Sequence, residues 1–383
     1  MNKTRKNEAR SPVNPGPVRV LEIQFMRGLA ILVILMVHAA GDFSHVVRVD
    51  ENIVARALFY ALTSFGVPIF ILISGFVLYH RYGHQVSVRD FYSRRFKKVL
   101  IPYAIFSVIY IAFSAWENGW LPSKGKCLWM ILTGTSYYHL WFVRLIVQIY
   151  LLYPFLAKLY RRFEEVGKVR WLLGGSLVLQ TLINAGILIA KQVSSSSVDE
   201  VIDVVLVFTG FIFYFFLGMW AARNRKKLGS IVDAFAERFA IPAASLYALA
   251  IFIHVRVLLW GLEGYGSQAA TPDMDKIPIV FTRIITQMFT LIVSYQVARF
   301  LMRRPGVGAP VLLHIGRLSY GFYLVHPLML GLAARAMETW FSIGTTSVFS
   351  FPINFTLTAL STYLVVSWIN RSPLSEWLLG KEG

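Results

Sequence analysis

Cysteine is almost missing from this chain: Cys127 is the single one in 383 residues. That excludes an internal disulfide and any cysteine-based metal cluster. Charge is also scarce, at 15% of residues, and acidic charge scarcest, with 20 Asp and Glu against 38 Lys and Arg. The long apolar stretches hold very few carboxylates, so they offer no acid to complete a Ser-His-Asp triad. No HExxH zinc signature, Walker A loop or GxGxxG following a strand occurs. Metalloprotease, P-loop and dinucleotide chemistry are thereby excluded, and no metal is expected.

Apolar residues are abundant. They make up 56% of the chain, and the mean hydropathy is +0.58. A soluble domain is nearer 45–50% apolar and about 25% charged. Apolar runs of membrane length recur near 21–41, 57–79, 99–116, 139–158, 171–190, 202–222, 239–261, 278–302, 311–334 and 348–369. The runs are continuous rather than alternating, which points to helices and not to a barrel. The expected fold is an all-α, polytopic integral membrane bundle of about ten transmembrane helices. The stretch 127–136 is too short to cross and reads as an interfacial or re-entrant piece.

Residues 1–20 read as a disordered basic tail, 21–370 as one transmembrane domain and 371–383 as a short second tail. The tail and first run together look like a signal peptide ending at Ala39-Ala40-Gly41. The length of the run and Arg27 within it mark a retained span instead. The net charge of +18 would suggest nucleic acid in a soluble protein. Here the cations are interleaved with spans. Most fall in the N-terminal tail and after alternate spans, as in Arg94-Arg95-Phe-Lys97-Lys98. The positive-inside rule then places both termini in the cytoplasm and removes nucleic acid as a partner.

Ionisable groups at membrane depth carry the functional signal, because each costs roughly 2.5–3.5 kcal/mol on insertion scales. Arg27 and His38 share the first span. Eleven positions apart, they fall within about 20° of one helix face and about 16 Å apart along the axis. Snorkelling for the arginine and packing for the histidine are the alternatives. Glu22 lies about 140° around the helix from Arg27, so its partner is expected on another span. In span 2, Pro68 is expected to kink the helix, and Ser74-Gly75 to permit close packing or line a cavity. Span 4 opens with Tyr137-Tyr138-His139-Leu140-Trp141, typical of an interfacial belt, followed by Arg144 and Gln148, which need partners. In span 9, Ser319, Tyr323 and His326 follow i, i+4, i+7 spacing, with Pro327 next, suggesting a hydrated cavity. His254, Arg256 and Arg283 read as groups snorkelling outward.

Four stretches, in order, resemble acyltransferase family 3 of bacterial integral membrane proteins. They are Glu22-xxxx-Arg27-Gly28-Leu29-Ala30 through His38; Phe70-Ile-Leu-Ile-Ser74-Gly75-Phe76; His139-Leu-Trp141-Phe142 with Pro154; and Ser319-Tyr320-Gly321-Phe322-Tyr323-Leu324-Val325-His326-Pro327. The resemblance covers about residues 20–370. It implies a protein of the bacterial cytoplasmic membrane that moves an acyl group, commonly acetyl, from cytoplasmic acyl-CoA to a hydroxyl of a cell-surface, cell-wall or exopolysaccharide glycan. The Arg…His pair of the family maps to Arg27 and His38. Its basic pair after span 2 maps to Arg95 and Lys98, where many relatives carry two arginines. Some relatives carry a fused extracytoplasmic domain, so a separate extracytoplasmic transferase is an expected partner.

Attack by a sugar hydroxyl on a thioester needs a base and a stabilised oxyanion. The expected catalytic set is His38 as base, Arg27 against the donor or the developing charge, and Tyr323 and His326 around the reacting centre. Arg94, Arg95, Lys98, Ser74 and Gly75 are expected to receive acyl-CoA. His139, Trp141, Arg144 and Glu22 are expected near the glycan acceptor. Two other classes stay open: a transporter or flippase for a polysaccharide or lipid-linked intermediate, and a scaffold whose polar stripes only join helices.

Overall fold

The computed structural model describes residues 20–41, 52–83, 87–193, 207–263, 277–303, 306, 308–341 and 350–380. The expected tail, the Ser194–Ser197 loop and the start of the 202–222 run lie outside the described residues. The described chain is helical throughout, with no strand. Its helices are α1 (Leu21–Ala39), α2 (Ile53–Thr63), α3 (Gly66–Tyr82), α4 (Val88–Asn118), α5 (Lys124–Thr133), α6 (Trp141–Glu165), α7 (Val169–Val193), α8 (Ile212–Arg223), α9 (Arg225–Glu263), α10 (Ile277–Arg303), α11 (Gly308–Phe341), α12 (Ser350–Arg371) and the short α13 (Ser375–Leu379).

Among the described residues, seven stretches are long and apolar enough to cross a membrane: Leu21–Ala39, Ile53–Tyr82, Val88–Asn118, Trp141–Glu165, Ile241–Trp260, Ile277–Arg303 and Ser350–Arg371. The 34-residue α11 is not among them; it carries His314, Arg317, His326 and Arg335. The outer surface is apolar, with Ile241 80% and Phe155 72% exposed. Lipid tails are the matching solvent for such a surface, and backbone polar groups stay paired inside the helices. The protein is a multi-pass membrane protein.

Apolar burial drives helices together weakly in lipid, so close van der Waals packing at small residues carries association. Two glycine seams do this here. A Cβ on Gly28 would collide with the Leu312 carbonyl, and one on Gly316 with the Gln24 carbonyl, so α1 and α11 touch main chain to main chain. Gly75 and Gly218 repeat the device between α3 and α8, against the carbonyls of Phe215 and Leu72. Gly75, expected beside the acyl donor, is therefore a buried packing residue at this seam.

The second expected span is two helices. Ser64 and Phe65 form a turn between α2 and α3. Pro68 sits in the first turn of α3, just after the turn at Ser64 and Phe65, so it starts a helix rather than kinking one. Its missing N–H leaves the Ser64 carbonyl free, and the Gln287 amide donates to that carbonyl at 2.8 Å. In α9 the main chain breaks at Phe239 (φ −128°, ψ 24°), separating the polar segment from the apolar stretch Ile241–Trp260. Helix α5 has ten residues, in keeping with its short apolar run.

The end of the bundle near Glu22 is charged. Arg299 grips Asp233 through two hydrogen bonds, Nε to Oδ1 at 2.8 Å and Nη2 to Oδ2 at 2.5 Å, and Arg303 also pairs with Asp233. Arg299 Nη1 lies 3.5 Å from Glu22, and Arg225 Nη2 lies 4.0 Å from it. Glu22 thus finds its partners on other helices. Hydrogen bonding from Arg299 is the main reason that the Asp233 carboxyl is held below the usual carboxylate range, with the charges of Arg299 and Arg303 adding to it against partial desolvation.

Two outcomes follow. Gly316→Ala has no room to place its methyl against the Gln24 main chain, and overpacking of this kind costs about 1–3 kcal/mol; a lower melting temperature in detergent micelles is the readout. For Asp233 the depressed folded pKa means that its contribution is present above the unfolded value of about 3.9 and is lost as pH falls through the folded one. Asp233→Asn is expected to melt lower than wild type at pH 7, with the gap closing as the pH is taken below about 4.

Candidate functional site

His38 lies ten positions after Gly28 on α1, and His326 ten positions after Gly316 on α11. Starting from one contact and running the same way, both helices rise about 15 Å to their histidines. The His38 and His326 rings accordingly stack, with centroids 5.4 Å apart and planes at 27°. A third imidazole joins from the turn before α6: the His139 ring lies 5.6 Å from His326 and 5.1 Å from Tyr323. Tyr138 packs edge-on against His38 at 5.0 Å. Of the cluster before α6, His139 and Leu140 are buried in the bundle, His139 at 2% exposure, while Tyr138 is 49% exposed.

Side-chain bonds to main-chain carbonyls near Pro327 hold this cluster. Pro327 supplies no N–H to the Tyr323 carbonyl one turn back. Near that gap the ring Nδ1 of His326 lies 2.9 Å from the Phe322 carbonyl, and the Tyr110 hydroxyl donates to the Leu324 carbonyl at 2.6 Å. A carbonyl only accepts, so His326 carries its proton on Nδ1. Its Nε2 is left as a buried acceptor with no hydrogen-bond partner. Both nitrogens of His139 are likewise buried without a partner, and one of them must be an N–H in the neutral ring. The Tyr323 hydroxyl donates to the His139 carbonyl and so fixes the turn that presents His139.

Two cavities open beside these groups. The larger, about 460 Å³, is lined by His38, His139 and Trp141, with a polar wall made by Gln180, Arg283 and Gln287. The smaller, about 180 Å³, is lined by Arg27, Ser74, Tyr150, Ser319 and Tyr320. Phe142 and Tyr323 line both, with ring centroids 5.5 Å apart. Arg27 and His38 thus face two chambers that meet at an aromatic pair, where the spacing alone had suggested one shared slot.

Beyond the smaller chamber, the Arg95 guanidinium sits over the rings of Tyr82 and Tyr150, at 5.4 and 5.7 Å. Its Nε and Nη2 are buried without a hydrogen-bond partner. Arg94 and Lys97 are exposed, and Lys98 is half-buried. Arg144, expected near the acceptor, lines neither chamber; it donates to the Thr133 carbonyl. Glu22 belongs to the charged end of the bundle and does not reach the histidines. Among the described residues, no group of three or more His, Cys, Asp and Glu is placed to hold a metal ion.

Sequence reasoning missed part of the larger chamber. Arg283 lines it instead of snorkelling outward. His254 is fully buried, 2.8 Å from the Thr282 hydroxyl, and does not snorkel either. Gln180 and Asn184, spaced i, i+4 in an apolar run, are the sequence signal for this wall.

Comparison with curated proteins and with solved structures gave no match. A model of acyltransferase family 3, described as an acyltransferase domain, matches residues 20–371. That range holds both chambers, the three histidines and Arg27, and the chain belongs to this family of membrane acyltransferases.

Proposed function

We propose that the protein transfers an acyl group, acetyl in the simplest case, from acyl-CoA to a hydroxyl of a cell-surface or exopolysaccharide glycan. The observation that carries this reading is the pair of chambers meeting at Phe142 and Tyr323, one presenting Arg27 and the other His38. A two-ended path suits a reaction whose two substrates arrive from opposite sides. The donor enters at the Arg95 end, which is the cytoplasmic side in a ten-span bacterial plasma-membrane topology with both termini inside. The buried, unsatisfied guanidinium edge of Arg95 suits a phosphate of CoA. Arg94 and Lys98 add positive potential at that end. The pantetheine arm then passes Ser74 and Arg27 and brings the thioester to the Phe142–Tyr323 junction.

In the larger chamber the acceptor sugar stacks on Trp141 and places a hydroxyl at His38. The neutral imidazole takes the hydroxyl proton as the oxygen attacks the thioester carbonyl. An N–H of His139 donates to the oxyanion, a role open to a buried donor with no competing partner. The carbon–sulfur bond breaks, the acyl group stays on the sugar oxygen, and the CoA thiolate takes the proton back from His38. His326, locked by its Nδ1–H, supports the His38 ring by stacking.

His38→Ala is expected to lower turnover of acetyl-CoA about 10²–10⁴-fold, the range for loss of a general base, while insertion and expression stay normal. CoA release and acceptor mass gain are followed together with purified protein and candidate glycans. Full turnover by a folded His38→Ala protein removes the base assignment, and acceptor movement without CoA release favours transport. Arg95→Gln is expected to raise the KM for acetyl-CoA about 10- to 150-fold, as suits loss of one charge-assisted contact of about 1.5–3 kcal/mol, with little change in kcat.

A further inference from the structure

The larger chamber holds one full cation and no carboxylate. Arg283 is its single Arg or Lys, and neither Asp nor Glu lines it among the described residues. Arg283 lies in the membrane-crossing part of α10, where a lone charge is costly to keep. Arginines nearer the ends of the bundle are met by acids, as Arg299 by Asp233, Arg223 by Glu164 and Arg335 by Glu117. Arg283 has instead the phenol of Tyr60 as its hydrogen-bonding neighbour and Tyr214 close by. A neutral phenol leaves the charge uncompensated.

The rest of that wall is tied down. The Gln287 amide bridges the Tyr214 hydroxyl at 2.6 Å and the Ser64 carbonyl at 2.8 Å. Gln180 accepts from the Phe213 N–H at 3.0 Å, and Asn184 donates to the Gly210 carbonyl at 3.2 Å. Arg283 therefore stands in a pre-set polar wall of a cavity that His38 and Trp141 also line. At about 460 Å³ the cavity falls in the range of a small-ligand site.

We infer that the acceptor is an anionic sugar, one bearing a carboxylate or a phosphate, and that Arg283 binds its oxyanion so that a neighbouring hydroxyl faces His38. The inference rests on the acyl-transfer reading of the same chamber. A planar guanidinium pairs with either oxyanion in bidentate fashion. A glycan of neutral sugars would leave the arginine uncompensated in a desolvated site, so charge acts here as a selectivity filter.

The test uses the purified full chain with glucuronic acid, glucose 6-phosphate and glucose. Binding is read from tryptophan fluorescence, and CoA release from acetyl-CoA is read in parallel. Wild type is expected to bind at least one of the two anionic sugars at least tenfold more tightly than glucose. Whether the carboxylate or the phosphate is preferred identifies the oxyanion. Arg283→Gln is expected to collapse that ratio towards one, and Arg283→Lys to restore part of it, which separates a charge effect from misfolding. Equal binding of all three sugars by wild type, or an unchanged ratio in Arg283→Gln, overturns the inference. No CoA release with any sugar, alongside a retained binding preference, counts against acyl transfer and leaves the anionic site standing.

Discussion

The main-chain contact between α1 and α11 is the constraint on which the rest depends. Gly28 and Gly316 leave no side chain between two helices, so the register between them is set by backbone surfaces and not by adaptable rotamers. Any slip would rotate or raise one histidine relative to the other. Because each helix runs ten residues from its glycine to its histidine, the contact places His38 against His326. The α3–α8 seam at Gly75 and Gly218 sets the neighbouring wall in the same way. Polar groups deep in a bilayer need such rigidity, since a small displacement would expose them to lipid or leave them unpaired.

Prolines complete the arrangement by releasing carbonyls at chosen places. Pro68 frees the Ser64 carbonyl, which Gln287 then takes, and so binds α10 to the α2–α3 turn beside the larger chamber. Near Pro327, His326 and Tyr110 reach main-chain carbonyls of the same helix, which fixes the His326 tautomer. The Ser64 carbonyl is met by a side chain of the chamber wall, and the carbonyls on either side of Tyr323 are met by His326 and Tyr110. Helix breaks here serve the chamber and are not irregularities.

The residues that a close reading selected were not all used alike. Arg27, His38, His139, Trp141, Ser74 and Tyr323 line the two chambers, and His326 packs on the imidazoles. Arg144 and Gly75 have structural partners instead. Arg283 gained a place because its partner is a phenol. A charge within an apolar run is visible in sequence, but whether it snorkels, pairs or faces a cavity depends on neighbours contributed by distant segments. The same limit explains the second span. Its apolar run is continuous, and nothing in that run alone announces that Ser64 and Phe65 turn the chain.

The sequence by itself determined the class of molecule. Continuous apolar runs require helices in lipid, since no other open structure satisfies its own backbone there. It also determined the shared face of Arg27 and His38, because helical spacing is a local property. Only the tertiary structure decided that these two groups look into separate chambers, that three histidines meet, and that Arg283 lines the same cavity as His38 and His139. Those facts come from contacts between helices far apart in the chain, set by where backbones can approach, and periodicity within one helix carries no record of its neighbours.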